Sequence, residues 1–318
     1  MRIIFLGTPE FAVPILKGIC QAGHTVAAVF TACDKAAGRG RKLIALPVKL
    51  AAQKLGLTIY QLPKISSPEG IGLIEKLAPD VGVVAAFGEI ISRDVLHIPG
   101  RGFLNVHASL LPRWRGAAPI QHAILAGDRK TGITVIRMTE KMDAGPVLLQ
   151  SEIEIGEEET AGELSGFLAR AGAQATVAAL SLIESGKDTY KEQDETRVTF
   201  APKIKKEDLR IDWRKDAVTL ARLIRAFSPE PGAFAFLERS EVRPLRVKIL
   251  KAAPVAQEIG PPGTVTPTKT EVLVAAGAGS LLLKRVQPEG KREMEGSEFL
   301  RGYLRSPSVR FLLPPEKH

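Results

Sequence analysis

The feature that most restricts the fold is a run with almost nothing polar in it, "DVGVVAAF" at residues 80–87. A strand with one wet face alternates apolar and polar residues. A strand apolar on both faces has to be covered on both, as the inner strands of a parallel sheet are. Similar short runs recur along the first half of the chain: "RIIFLG" (2–7), "HTVAAVF" (24–30), "LTIYQ" (57–61), "GFLNVH" (102–107) and "GITVIRM" (132–138). Helical segments separate them. One opens near Pro9, since proline suits a first helical turn, and another, "PVKLAAQKLG" (47–56), stops at a glycine. Strand–helix alternation implies right-handed crossovers, so the expected fold is α/β with a doubly wound, mostly parallel sheet.

A chain of 318 residues is long for one hydrophobic core. An Ala- and Leu-rich amphipathic helix at about 160–185 closes the first part. Residues 186–210 are polar, charged and poorly periodic, as a linker is. "IDWRKDAVTLARLIRAF" (211–227) reads as a capped helix with Asp212 near its start. Short strand-like pieces follow ("AFAFLE", "LRVKIL", "GTVTPT", "EVLVAA", "SLLLKRVQP"), broken by Gly and Pro, which suggests a small β-barrel or sandwich. The expected division is a catalytic domain at 1–189, a basic linker at 190–207 and a smaller barrel at 208–318.

Ligands of open α/β sheets bind beyond the carboxyl ends of the strands. Gly7–Thr8–Pro9, Phe87–Gly88, Asn105–His107 and the segment after Met138 all fall at such ends. Asn105 and His107 stand two apart, so on a strand both face one way while Val106 faces the packing. A lone histidine there is explained as well by hydrogen bonds to loop backbone; the asparagine on the same face favours a site. Asp143 follows a strand by a few residues, and Ala144–Gly145–Pro146 forces a turn that can aim it back, although taken by itself it reads first as an Asx-turn residue satisfying its own backbone. A carboxylate beside an imidazole orients the ring and favours its charged form.

Other chemistries fit less well. "FLGTPEFAVP" (5–14) has a single glycine in its turn and is not a G-x-G-x-x-G dinucleotide site. Cys20 and Cys33 form no CxxC or Cys/His cluster, so neither a disulfide scaffold nor a metal site is expected. No apolar stretch approaches the roughly 20 residues of a membrane span. The strand-like start leaves no room for a targeting segment, which suggests a cytoplasmic protein. The net charge is +9, and residues 190–318 hold 24 Lys/Arg against 17 Asp/Glu. That asymmetry suits a polyanionic partner, as do Lys35, Arg39, Arg41 and Lys42 in the loop at 31–49, but charge alone fits a solvated basic surface with no partner equally well.

Taken in order, "FLGTPEFAVP", "AGRGRK", "NVHASLLPRWRGAAPIQ", "MDAGPVL" and "IDW…LIRAFSP" closely resemble the methionyl-tRNA formyltransferase family, across essentially the whole chain. The Asn-x-His-x-Ser-Leu-Leu-Pro block alone is shared with a wider superfamily that uses 10-formyltetrahydrofolate. The resemblance implies a Rossmann-like formyltransferase domain followed by an OB-like barrel. It also implies formyl transfer from 10-formyltetrahydrofolate to the α-amine of methionyl-initiator tRNA, without a metal. Asn105, His107 and Asp143 are then the catalytic group. Ser109, Leu110, Leu111, Pro112, Phe87, Gly88 and Ile90 correspond to folate-contacting positions. Lys35, Arg39, Arg41, Lys42, Lys203, Lys205 and Lys206 correspond to tRNA-contacting ones. Ser92 departs from the proline that family members often carry. A monomer bound to no membrane is expected. Two other readings compete: a related enzyme acting on a small amine such as an amino-sugar nucleotide, and a catalytically idle RNA-binding protein.

Overall fold

The computed structural model describes residues 1–37, 42–44, 46–239, 242–304 and 309–315; within these, only backbone is described for 35–37, 42–44, 239 and 242. The first half of the chain contains β1 (Arg2–Gly7), α1 (Ala12–Gln21), β2 (Thr25–Phe30), β3 (Lys35–Ala37), β4 (Lys42–Ile44), α2 (Pro47–Lys54), β5 (Ile59–Tyr60), α3 (Pro68–Leu77), β6 (Val81–Ala85) and α4 (Arg93–Leu96). It continues with β7 (Phe103–His107), β8 (Arg115–Gly116), α5 (Pro119–Ala126), β9 (Lys130–Arg137), β10 (Val147–Glu154) and α6 (Ala161–Glu184).

One compact unit comprises Met1–Pro119, Lys130–Glu154 and Ser165–Lys203. Its sheet runs β10-β9-β7-β6-β1-β2-β5. The five strands from β7 to β5 pair in parallel, as the doubly covered runs require. Every residue of β6 is buried, and Gly82 is needed there because a Cβ would collide with the Phe103 ring. The edge differs from the expected series: β9 lies antiparallel to β7, and β10 antiparallel to β9. A strand covered on both faces reads alike in either direction, so the apolar run could not reveal that reversal. In the loop after β2, β3 and β4 pair as a short antiparallel hairpin.

Local signals set the helix ends. Ser67 accepts from the Gly70 amide at 3.2 Å and Pro68 fills the first turn of α3, a helix the apolar pattern did not single out. By length and composition α6 could cross a membrane, but it serves as a core helix: Leu168, Thr176, Ala179 and Leu180 are fully buried. Gly172 of α6 lets the helix approach Val106 and Ile15 closely, which fixes which face of β7 is packed and which carries Asn105 and His107.

The second unit comprises Ile120–Arg129, Ile155–Leu164 and Ile204–His318. After β11 (Phe200–Ala201) in the first unit come α7 (Ala217–Phe227), β12 (Ala233–Arg239), β13 (Val242–Val255), β14 (Val265–Pro267), β15 (Val272–Ala275), β16 (Ser280–Pro288), β17 (Met294–Glu295), α8 (Gly296–Tyr303) and β18 (Arg310–Phe311). The antiparallel sheet runs β14-β15-β16-β13-β12-β18, with β17 on β16. Phe311 donates to the Gly263 carbonyl at 2.9 Å and Arg310 bridges Thr264, so the last strand returns to the first and the barrel nearly closes. The helix expected from residue 211 starts later. Asp216, not Asp212, caps it, accepting from the Thr219 amide at 2.8 Å. Asp212 instead pairs with Arg214, and Trp213 is fully buried against Phe311, with ring centroids 5.2 Å apart.

Candidate active site

The carboxyl end of β7 delivers Asn105 and His107 to one face, and the turn after β9 brings Asp143 to meet them. Asn105 Nδ2 donates to Asp143 Oδ1 at 3.0 Å. The Gly116 amide donates to Asp143 Oδ2 at 2.9 Å. The His107 ring turns Nδ1 toward the same Oδ2 at 3.6 Å. Its Nε2 lies 2.9 Å from the Trp114 carbonyl oxygen.

A carbonyl oxygen only accepts, so Nε2 carries a hydrogen. A neutral ring then presents the Nδ1 lone pair to a carboxylate just beyond hydrogen-bond reach. A second proton on the ring turns that repulsion into attraction. The side chains of His107 and Asp143 are 6% and 12% exposed, so water screens the pair weakly. Both ring nitrogens are directed at protein groups, whereas only one of the two Asn105 amide hydrogens is spent within the trio. The chemistry available is a carboxylate that can take a proton, an imidazole held beside it, and an amide N–H donor.

Strain marks the same place. Trp114 and Asp143 have φ of 66° and 49°, in the left-handed region that costs a non-glycine residue on the order of 1 kcal/mol. Each supplies one of the two groups that face the His107 ring. At Gly116, with φ of 125°, a Cβ would come within 2.6 Å of the Ala201 carbonyl oxygen, so the amide that holds Asp143 belongs to a residue with no side chain.

The segment after β7 is anchored from below by Thr134, fully buried on β9. Its hydroxyl donates to the Ser109 carbonyl at 2.6 Å and accepts from the Leu111 amide at 3.1 Å and from Gln150 Nε2 at 2.9 Å. Ser109 is itself fully buried, its hydroxyl donating to the Arg113 carbonyl, and Leu111 is buried too. Leu110 and Pro112 are the partly exposed members of the four. In the loop after β6, Phe87 belongs to the core, Gly88 (φ 83°) has open space on its Cβ side and Ile90 is 77% exposed. Backbone accessible beside an exposed aliphatic side chain suits a flat heterocycle. The Ser92 amide donates to Ser66 Oγ at 3.0 Å, a bond that a proline at this position could not make, although the φ of −70° would admit one.

Of the expected RNA-contacting residues, Lys203, Lys205 and Lys206 are exposed. Lys35 and Lys42 lie on β3 and β4 with their side chains outside the described residues, and Arg39 and Arg41 lie wholly outside them. The sequence reading did not single out Thr134, Gln150, Gly116, Gln193 or Thr199. Nor did it anticipate that the stretch after α6 packs back on the first unit, where β11 pairs in parallel with β8. Among the described residues no group of three or more His, Cys, Asp or Glu is arranged to hold a metal.

Comparison with known proteins accords with this geometry. The family described as "Formyl transferase" matches residues 1–180, and "Formyl transferase, C-terminal domain" matches residues 203–304. The chain is 45% identical over 303 residues to a methionyl-tRNA formyltransferase of Methylococcus capsulatus, covering 95% of this chain and 97% of the relative. It is 43% identical over 313 residues to one of Nitrosospira multiformis, covering 98% and 99%. Among solved structures, WlaRD, a sugar 3N-formyltransferase, superposes with a TM-score of 0.65 at 18% identity, covering 92% of this chain and 99% of WlaRD. HypX from Aquifex aeolicus, solved with tetrahydrofolic acid, gives 0.64 at 19%, covering 96% of this chain and 48% of HypX. The two structures share the fold, whereas identity above 40% over nearly the full length speaks to the family. The chain belongs to the methionyl-tRNA formyltransferases.

Proposed function

We infer that this chain transfers the formyl group of 10-formyltetrahydrofolate to the α-amine of methionyl-initiator tRNA, with Asn105, His107 and Asp143 at the reacting centre. The observation that carries the reading is the meeting of these three at the carboxyl end of β7, with Asp143 carried there by the loop between β9 and β10, in a chain of this family. The amine attacks the formyl carbon, and its carbon–nitrogen bond forms as the bond to the folate N10 breaks. Negative charge gathers on the formyl oxygen in between. The free hydrogen of the Asn105 amide stabilises it, a donor of that kind being worth roughly 3–4 kcal/mol. Asp143 takes the proton the amine sheds and hands it on to the leaving nitrogen, while His107, held by the Trp114 carbonyl, orients and supports that carboxylate.

The folate is assigned to the segment 109–112 and to the loop bearing Phe87, Gly88 and Ile90. The tRNA is assigned to the loop with Lys35, Arg39, Arg41 and Lys42, to Lys203, Lys205 and Lys206, and to the C-terminal barrel. A monomer acting in the cytoplasm completes the proposal. An amino-sugar nucleotide substrate would use the same trio but would leave the basic surfaces without a task, and an idle RNA-binding protein would leave the trio without one. The test is formyl transfer by the purified protein from 10-formyltetrahydrofolate to methionyl-tRNA, free methionine and an amino-sugar nucleotide. Turnover on methionyl-tRNA alone is expected; preferential turnover on the sugar nucleotide would overturn the assignment.

A further inference from the structure

Asp143 reaches His107 only because its loop holds a left-handed turn, and the groups holding that loop come from fifty residues further on. Gln193 Nε2 donates to two carbonyls of the turn, Asp143 at 2.8 Å and Gly145 at 2.7 Å. Its Oε1 accepts from Arg115 Nε at 3.1 Å and Nη2 at 2.8 Å. Both hydrogens and both lone pairs of the amide are thereby used, and a flipped amide would set N–H against guanidinium and oxygen against two carbonyls. The orientation is forced.

Arg115 is itself nearly fully buried and is fixed by a two-point pair with Glu195, Nη2 to Oε1 at 2.7 Å and Nη1 to Oε2 at 3.2 Å. The Arg115 guanidinium holds the Glu195 carboxyl below its ordinary range, so the pair is charged at neutral pH. The same segment braces the other side of the ring. Thr199 Oγ1 accepts from the Trp114 amide at 2.9 Å, and Arg115 donates its own amide to the Thr199 carbonyl at 2.9 Å. Two left-handed residues, one on each side of His107, are thus tied to one stretch of chain, residues 193–201.

We propose that Gln193, locked by Arg115 and Glu195, is a positioning residue for formyl transfer: it holds the Asp143 carboxylate in register with Asn105 and His107 without touching substrate. The proposal rests on the functional reading above. Loss of the brace lets the turn relax, and misplacement of a reacting group by an ångström costs on the order of 100-fold in rate.

The experiment is a double-mutant cycle between Gln193→Ala and Asp143→Asn, read as steady-state kcat and KM for methionyl-tRNA and for 10-formyltetrahydrofolate. Gln193→Ala in the native background is expected to lower kcat by about 10- to 100-fold, with both KM values within about threefold of native. In the Asp143→Asn background the same change is expected to cost less than about threefold, because a brace has no effect once the group it positions is gone. If Gln193→Ala fails to fold, Gln193→Glu carries the test. It keeps the side-chain volume and the Arg115 contact but offers no N–H to the two carbonyls, and it should show the same coupling. Equal losses in both backgrounds, a loss confined to KM, or native turnover would overturn the proposal. A native protein that formylates an amino-sugar nucleotide instead would sink the functional reading, while the same cycle run on that amine would still read Gln193.

Discussion

Replacing Asp143 by Asn changes one atom of the side chain and its charge. The carboxylate accepts Asn105 Nδ2 on Oδ1 at 3.0 Å and the Gly116 amide on Oδ2 at 2.9 Å. A carboxamide has one oxygen, so in either orientation one of those donors meets an NH2 group. The lost bond, with its donor left facing another donor, costs about 1–3 kcal/mol. Removing the proton acceptor costs a further 100- to 10,000-fold, about 2.7–5.5 kcal/mol at 1.36 kcal/mol per tenfold. Part of the first cost falls on the folded state rather than the transition state, so the expected fall in kcat is roughly 1,000-fold. KM for either substrate should change by no more than a few-fold, because the carboxylate binds protein groups and takes the proton only as the reaction proceeds. The assay is formylation of methionyl-tRNA under single-turnover conditions, with far-ultraviolet circular dichroism and a melting curve as fold controls. A folded Asn variant within about fivefold of native kcat would refute the reasoning, since neither the proton transfer nor the two-donor lock would then matter.

Three further outcomes follow from other parts of the molecule. Thr134→Val keeps the shape of a buried side chain but leaves the Ser109 carbonyl and the Leu111 amide without their partner; the expected loss is about 2–4 kcal/mol by denaturant unfolding, with a raised KM for folate. Thr160 and Glu163 cap α6 reciprocally, the Thr160 amide donating to Glu163 Oε2 at 2.9 Å and Thr160 Oγ1 accepting from the Glu163 amide at 3.3 Å, so Thr160→Ala should cost about 1 kcal/mol. The Thr160 amide and then its hydroxyl hold the Glu163 carboxyl below its ordinary range; that contribution is present above the unfolded glutamate value and is lost as pH falls through the folded one. Melting temperature should accordingly drop less on acidification below about pH 4.5 in Glu163→Gln than in native protein. Replacing Lys203, Lys205 and Lys206 together by Ala should flatten the dependence of log affinity for tRNA on log salt by up to about three units while sparing kcat, and an unchanged slope would remove these lysines from the RNA surface.

Much of the framework is legible in the residues themselves. The unbroken apolar runs demand a sheet covered on both faces, and the i, i+2 spacing of Asn105 and His107, with Val106 packed opposite, puts two polar side chains at its carboxyl edge. Sequence stops being informative where a decision depends on partners far away. The reversal of β9 leaves no trace, because burial on both faces erases the alternation that distinguishes strand environments. The start of α7 misleads because Asp212 and Asp216 are equally good caps by composition; burial of Trp213 against Phe311 decides between them. Gln193 was invisible for a related reason. It sits in a polar stretch without periodicity, and its significance comes only from two backbone carbonyls at 143 and 145 and a guanidinium at 115. A signal did exist in the neighbouring apolar and small residues Phe200 and Ala201, which pair with Arg115 and Gly116 beside the site.

The most direct measurement of the central claim is the single-turnover rate constant for formyl transfer by a folded His107→Ala protein with both substrates saturating. If Asn105, His107 and Asp143 act as one reacting group, the constant falls by about 100-fold or more, with both substrates still bound. A constant within a few-fold of native would mean that the imidazole between Trp114 and Asp143 has no part in the chemistry.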